Sequence, residues 1–135
     1  MKYDIVALIT DMLNAEGAGD LLDKDLTNHS TISLNMKGNI PTIFIKEEDD
    51  YVWVWSILGE YHPSTLPHSS AKLFSLMFEF DEEHFYLAQP CLYPVDGNLE
   101  LRAQIKECHL ESKETFSEVL EAFFLKLQSY CDALV

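Results

Sequence analysis

Cysteine and histidine are the residues of this chain that could bind a metal ion or supply a nucleophile. The chain has three cysteines and five histidines, but they form no C-x2-C and no H-x3-H pair, the spacings typical of zinc sites. Cys108 and His109 are adjacent, and neighbours on a strand point to opposite faces. We therefore expect buried apolar cysteines, surface histidines and no metal site. An enzyme that uses Cys108 or Cys131 with a nearby histidine stays open as an alternative.

Acidic residues concentrate in two segments, Glu47–Asp50 and Glu79–Glu83. Neither has the central glycine and terminal glutamate of a calcium loop, and both lie where the chain is predicted to turn. The glycines are far apart, so no glycine-rich loop can cradle a phosphate, and no G-x-S-x-G motif is present. The sequence therefore predicts no nucleotide site, no cofactor and no enzymatic activity.

The net charge of −14, with 9 basic and 23 acidic residues over 135 positions, limits the possible partners. Phosphate contacts need clustered Lys and Arg, so nucleic acid and anionic membranes are disfavoured as partners. The acidic residues either solvate the surface or face a basic partner. No apolar run approaches the roughly 20 residues that span a bilayer, and the N-terminus lacks a signal-peptide pattern. We predict a single domain, 1–135, in the cytoplasm, where an odd number of widely spaced cysteines stays reduced.

The segment from His29 to Gly59 predicts three short strands joined by tight turns. Apolar and polar residues alternate over Thr31–Met36, which is typical of a half-buried strand. A turn around Gly38 and a second, acidic turn separate it from Thr42–Lys46 and from Tyr51–Leu58. The third strand is apolar on both faces, so it needs cover on both sides. Helices of the chain can cover one face, and what covers the other is the functional question.

The rest of the chain predicts helices around this sheet. The order is helix, three strands, helix, two strands, helix, which is an α+β domain with an antiparallel sheet flanked by helices. A hairpin at Asp96-Gly97 joins the last two strands. The predicted bounds are a helix over Lys2–Ala15, a short turn over Asp20–Asp25, a helix over Leu66–Phe80 capped by Ser64 or Thr65, a strand from His84 to Ala88 that continues towards Tyr93, a strand over Leu99–Lys106, and a helix from a capping box at Thr115–Glu118 to about Ala133.

Two apolar features of the sequence are candidates for binding other protein chains rather than for a catalytic or metal site. Trp53 and Trp55 share one face of the third strand, and each could bury about 150–250 Å². They are either ordinary core or part of a groove that accepts an extended peptide against a free strand edge. The helix that ends at Phe80 is apolar over more than half of its circumference, which predicts cover by a second subunit.

The strand block resembles a known family. His29-Ser30-Thr31-Ile32, the acidic turn that leads into Val52-Trp53-Val54-Trp55, and Leu58-Gly59 are similar to the type III secretion chaperones of the invasion protein B (SpaK) kind, the class IB chaperones that serve several cargoes. Chain length, acidity and element order extend the resemblance over nearly the whole chain. A dimeric adaptor for folded partners stays open as an alternative function.

The resemblance implies a cytoplasmic bacterial homodimer that binds N-terminal segments of several secreted effectors in extended form, with the secretion apparatus as a further candidate partner. In the family, the second helix and adjoining strands form the dimer, which implies an interface at Leu73, Leu76, Met77 and Phe80. The cargo groove of the family lies on the first helix and first strands. Carried onto this chain, it includes Ile32, Leu34, Ile43, Ile45, Trp53 and Trp55.

Overall fold

The structure of the protein is a computed structural model that describes residues 4–17, 31–60, 62–64 and 66–134. The predicted α+β class is confirmed, and the predicted turn at Asp20–Asp25 and the lead into the first strand lie outside these residues. Among them, no helix has the length and hydropathy needed to cross a bilayer. The elements are α1 (Ile5–Ala15), β1 (Ile32–Leu34), β2 (Ile43–Glu48), β3 (Tyr51–Glu60), α2 (Ser70–Met77), β4 (Cys91–Val95), β5 (Asn98–Ile105) and α3 (Lys113–Ala133).

The five strands form one antiparallel sheet in the order β1-β2-β3-β5-β4. Two-residue turns close its two tightest hairpins. Asp49 and Asp50 both take positive φ between β2 and β3, and Asp96 and Gly97 do so between β4 and β5. This backbone matches the twist of the flanking strands, which confirms the hairpin predicted at Asp96-Gly97. The order leaves β1 and β4 as the two edges.

The core lies between one face of the sheet and the helices. Ile45, Val54 and Ala103 face one another across three strands and are fully buried. Ile9 of α1 and Phe123 of α3 complete the same cluster. Helix α2 lies on this face too, because Leu73 belongs to the cluster. The described helices therefore cover one face of the sheet, and the opposite face carries the alternate residues of every strand.

Several element bounds differ from the predicted ones; β2, β3 and β5 shift by one or two residues. Strand β1 is shorter than Thr31–Met36. A 3-10 turn at Leu66–Ser69 precedes α2, which ends at Met77 rather than Phe80. Helix α3 begins at Lys113, ahead of the predicted capping box, because the Ser112 hydroxyl accepts a hydrogen bond from the Thr115 N–H and caps the helix first.

The predicted strand at His84–Ala88 is wrong. In that segment only Phe85 forms a bridge, to Ile105, and the strand itself runs later, over Cys91–Val95. The side chain of Gln89 explains the difference, because its Oε1 accepts the hydrogen bond of the Gln104 N–H at 2.6 Å. The Gln104 N–H therefore cannot donate to a main-chain carbonyl of the segment 84–88, and that segment does not continue as a strand beside β5.

Candidate protein-binding surfaces

The six residues predicted to bind a partner do not meet on one surface. Ile32, Leu34, Ile43 and Ile45 point into the core, and each is at most 5% exposed. Trp53 and Trp55 lie on the opposite face, half-buried. The cause is the register: Ile45 pairs with Val54, so the isoleucines of β2 share a face with the valines of β3, not with its tryptophans. One groove formed by all six side chains is therefore absent from the protomer.

The face of the sheet that the described helices leave uncovered, here called the open face, is aromatic at its centre. Phe44 stacks on Trp55 with 5.6 Å between ring centroids. The Arg102 guanidinium lies 5.4 Å from the Trp53 ring and 5.0 Å from the Trp55 ring, and it pairs with Glu100 at 2.9 Å. The outward-facing charged residues of β5 therefore include a cation that packs on both indoles.

Sequence reasoning missed Phe44 and Arg102 as parts of this face. The signal was available in part, because Phe44 alternates with the buried Ile43 and Ile45 and so must point the other way. The contact of Arg102 with both indoles depends on the β3–β5 register, which pairs Trp55 with Arg102. The residue pattern of a single strand does not predict that register.

A second surface, here called the edge groove, lies beside edge strand β1. It has a cavity volume of about 260 Å³. Leu34 and Ile43 form part of its floor, and helices α1 and α3 supply the walls. Among the described residues, β1 pairs only with β2, so its outer main-chain groups face away from the sheet. The full lining is Met12, Leu13, Glu16, Leu34, Met36, Ile43, Ser117, Leu120, Glu121 and Phe124.

A third surface surrounds helix α2 and includes the residues predicted to form a dimer. Leu73 is buried and Leu76 is partly buried, whereas Met77 is 55% exposed and Phe80 is 43% exposed. The surface contains an apolar cavity of about 390 Å³. We call it the α2 patch; its members are Leu66, Leu73, Phe74, Met77, Phe78, Phe80, Leu92 and Pro94.

One group of potential metal ligands occurs among the described residues, formed by His84, His109 and Glu118. Their donor atoms lie within 4.8 Å of one another. Asp81 holds the first histidine in place, since its carboxylate accepts hydrogen bonds from the His84 main chain and ring. Burial acts to raise the pKa of Asp81, but these hydrogen bonds outweigh it and the pKa lies below its ordinary value.

The three cysteines are all free, and they differ in exposure. Cys108 is exposed, whereas Cys91 and Cys131 are partly buried. Burial raises the pKa of both partly buried thiols, and Asp132 adds to the effect at Cys131. A raised pKa lowers the thiolate fraction, and the thiolate is the nucleophile. This environment disfavours a catalytic role for Cys131.

Alkylation should therefore be selective for one thiol. We expect iodoacetamide at pH 8 to modify Cys108 at least about tenfold faster than Cys91 or Cys131, because Cys108 is exposed, whereas burial limits access to the other two thiols and raises their pKa. Mass spectrometry of digested samples over time measures the three rates, and Cys108→Ser should remove the fast phase. A Cys131 that reacted as fast as Cys108 would revive the enzyme alternative.

Comparison with known proteins assigns the family. The model of the Invasion protein B family matches residues 17–96, which include β1, β2, β3, α2 and β4. Two relatives, each called surface presentation of antigens protein SpaK, come from Salmonella typhimurium and Salmonella typhi. Each is 30% identical over 133 residues, which cover 98% of this chain and 96% of the relative. The chain belongs to the Invasion protein B family, and the resemblance read from the strand block is confirmed.

Proposed function

We propose that this protein is a type III secretion chaperone of the bacterial cytoplasm. It binds the N-terminal chaperone-binding segments of several effectors in extended form and keeps them secretion-competent, acting as a homodimer and catalysing no reaction. The observation that carries the proposal is edge strand β1, unpaired on its outer side among the described residues and flanked by the apolar edge groove. Family membership supports the same function.

An extended segment can bind this edge by adding a strand to the sheet. Its main chain would pair with the outer groups of β1, and its side chains would alternate between the two faces. Side chains on the core side would enter the edge groove, where Met36 and Phe124 are only partly buried. Main-chain pairing is independent of sequence, and apolar pockets tolerate different side chains, so one chaperone can serve several effectors.

Side chains on the other side of such a strand would reach the open face. Strand β2 lies next to β1, so Phe44 is the first aromatic residue in reach, followed by Trp55 on β3. A client that continues across this face would cover the aromatic cluster. The net charge of −14 favours clients with basic flanks.

The α2 patch supports self-association. Phe74, Met77 and Phe78 are all more than half exposed, and they lie beside one another on a short helix and its end. Contiguous exposed apolar surface of this kind marks an interaction site. A dimer through this patch would bury about 1,200–2,000 Å² in total, as standard-size protein interfaces do.

Co-expression tests the proposed function. An effector N-terminal segment that aggregates alone should become soluble and co-purify with this chaperone. Limited proteolysis separates an extended client from a folded one: protease should spare only the part of the segment that lies along the chaperone. A resistant, compact client would favour the dimeric adaptor, and failure to rescue any segment would contradict the chaperone function.

The tryptophans offer a direct probe of the open face, because Trp53 and Trp55 are the only two in the chain. Binding of a tryptophan-free client should reduce acrylamide quenching of their fluorescence, since a covered indole meets less quencher. Trp55→Asp should weaken client binding by about tenfold or more, as loss of an aromatic contact typically does. Unchanged quenching and affinity would exclude the open face from the binding surface.

A further inference from the structure

We propose that His84, His109 and Glu118 form a binding site for a single Zn²⁺ ion. The site joins three parts of the chain: the segment before β4, a 3-10 turn at Glu107–His109 after β5, and the first turns of α3. None of the three residues lines the edge groove, the open face or the α2 patch. The site is therefore independent of the proposed chaperone function.

Hydrogen bonds fix which nitrogen of each ring is free. Nδ1 of His84 lies 2.7 Å from Asp81 Oδ2, and a carboxylate can only accept, so this nitrogen carries the proton. Nε2 of His109 lies 3.2 Å from the Glu83 carbonyl oxygen and must donate for the same reason. Neutral rings then keep one lone pair each, on His84 Nε2 and His109 Nδ1. A histidine whose outer N–H is held by an oxygen acceptor is the usual metal-binding arrangement.

The environment of His109 points to a ligand independently of this spacing. The residue is 8% exposed, and its Nδ1 is buried without a hydrogen-bond partner among the described residues. A buried polar atom left unpaired has lost its hydration without gaining a hydrogen bond, so such atoms are rare. A metal ion would use this lone pair.

The donor set favours zinc over the hard cations. Two imidazoles and one carboxylate suit Zn²⁺, whereas Mg²⁺ and Ca²⁺ prefer oxygen ligands alone. The rings of His84 and His109 lie 4.8 Å apart between centroids and are tilted by 39°. Tetrahedral zinc brings its ligand atoms to within about 3.5 Å of one another, whereas the donor atoms here lie within 4.8 Å. Glu118 is exposed on α3, so its side chain can change rotamer and move its carboxylate closer to the histidines. Water would take the fourth position.

A bound ion would fasten the segment before β4 to helix α3. This segment already contacts the core through Phe85, which is fully buried and packs edge-on against Phe123 at 6.4 Å. Zinc would add a second attachment next to it. Because the ion binds only the folded arrangement, it should raise the unfolding temperature in proportion to the logarithm of its concentration above the Kd.

Titration of the full chain with zinc tests the site. Isothermal calorimetry should give about one Zn²⁺ per protomer, Mg²⁺ should not bind, and Co²⁺ should give the visible absorption of a tetrahedral site. Glu118→Gln and His84→Asn should each weaken Zn²⁺ binding by about tenfold or more. Exposed Glu114 and His68 provide the matched controls, since Glu114→Gln and His68→Asn should bind as the unchanged protein does.

Two results would overturn the proposal. One is Zn²⁺ binding that Glu118→Gln and His84→Asn leave unchanged, or no binding at all. The other is loss of binding in Cys108→Ser, which would assign the metal to the neighbouring exposed thiol. Glu118 is on the surface, so its variant should fold, and the test does not depend on replacing the buried His109. Failure would leave client binding untouched, which separates this proposal from the chaperone function.

Discussion

Met77→Asp is expected to convert the proposed dimer, of twice 15.5 kDa, into a monomer. Met77 is 55% exposed at the centre of the α2 patch, between Phe74 and Phe80 in sequence. A carboxylate buried in an apolar interface loses its hydration without gaining a partner. We expect the dimer dissociation constant to rise by about 100-fold or more, which light scattering coupled to size exclusion measures directly.

Leu125→Asp is the matched control for this change. Leu125 is also 55% exposed on a helix, but it lies beside Asn39 and Ile40, at the turn between β1 and β2. The same charge at equal exposure should leave the dimer intact. A Met77→Asp protein that stayed dimeric at the concentrations used for the unchanged protein would place the interface elsewhere. An unchanged protein that is monomeric would contradict the proposed homodimer.

Phe124→Asp is expected to weaken client binding by about 100-fold, through the edge groove. Phe124 lines the groove on the α3 side and is only partly buried, so the substitution alters the groove more than the core. Desolvating the new carboxylate against an apolar client side chain should account for most of the loss. Fluorescence anisotropy with a labelled effector segment gives the affinity, and circular dichroism checks the fold.

Leu125→Asp again supplies the comparison, because it places the same charge one residue further along α3 and outside the groove. Its client affinity should match that of the unchanged protein. Equal loss in both variants would indicate a general effect of charge or stability. No loss in Phe124→Asp would exclude the edge groove as the client site.

Local patterns were sufficient to predict most elements. Apolar residues recur along α3 with helical spacing, and Phe116, Val119 and Phe123 are fully buried. Apolar and polar residues alternate along the sequence of strand β5, and its Leu101 and Ala103 are fully buried. Such periodicity predicts which face of an element is buried, and the prediction does not depend on how the strands pair.

Features that depend on pairing between distant segments escaped prediction. Which residues of β2 share a face with the tryptophans of β3 follows from register, and the sequence alone does not state it. The chain from His84 to Ala88 has strand-like composition, yet the side chain of Gln89 takes the donor of Gln104 that a strand would need. Likewise, His84, His109 and Glu118 meet only because β5 brings the first two together beside α3.

The central claim is that a client segment extends the sheet at β1, and hydrogen exchange tests it most directly. Amides of β1 that point away from β2 have no main-chain partner among the described residues, so they should exchange fast in the free protein. In the complex, peptides that cover Ile32–Leu34 and the bound client segment should both become protected. Exchange across β1 that is identical with and without client, while the client itself is protected, would contradict strand addition at this edge.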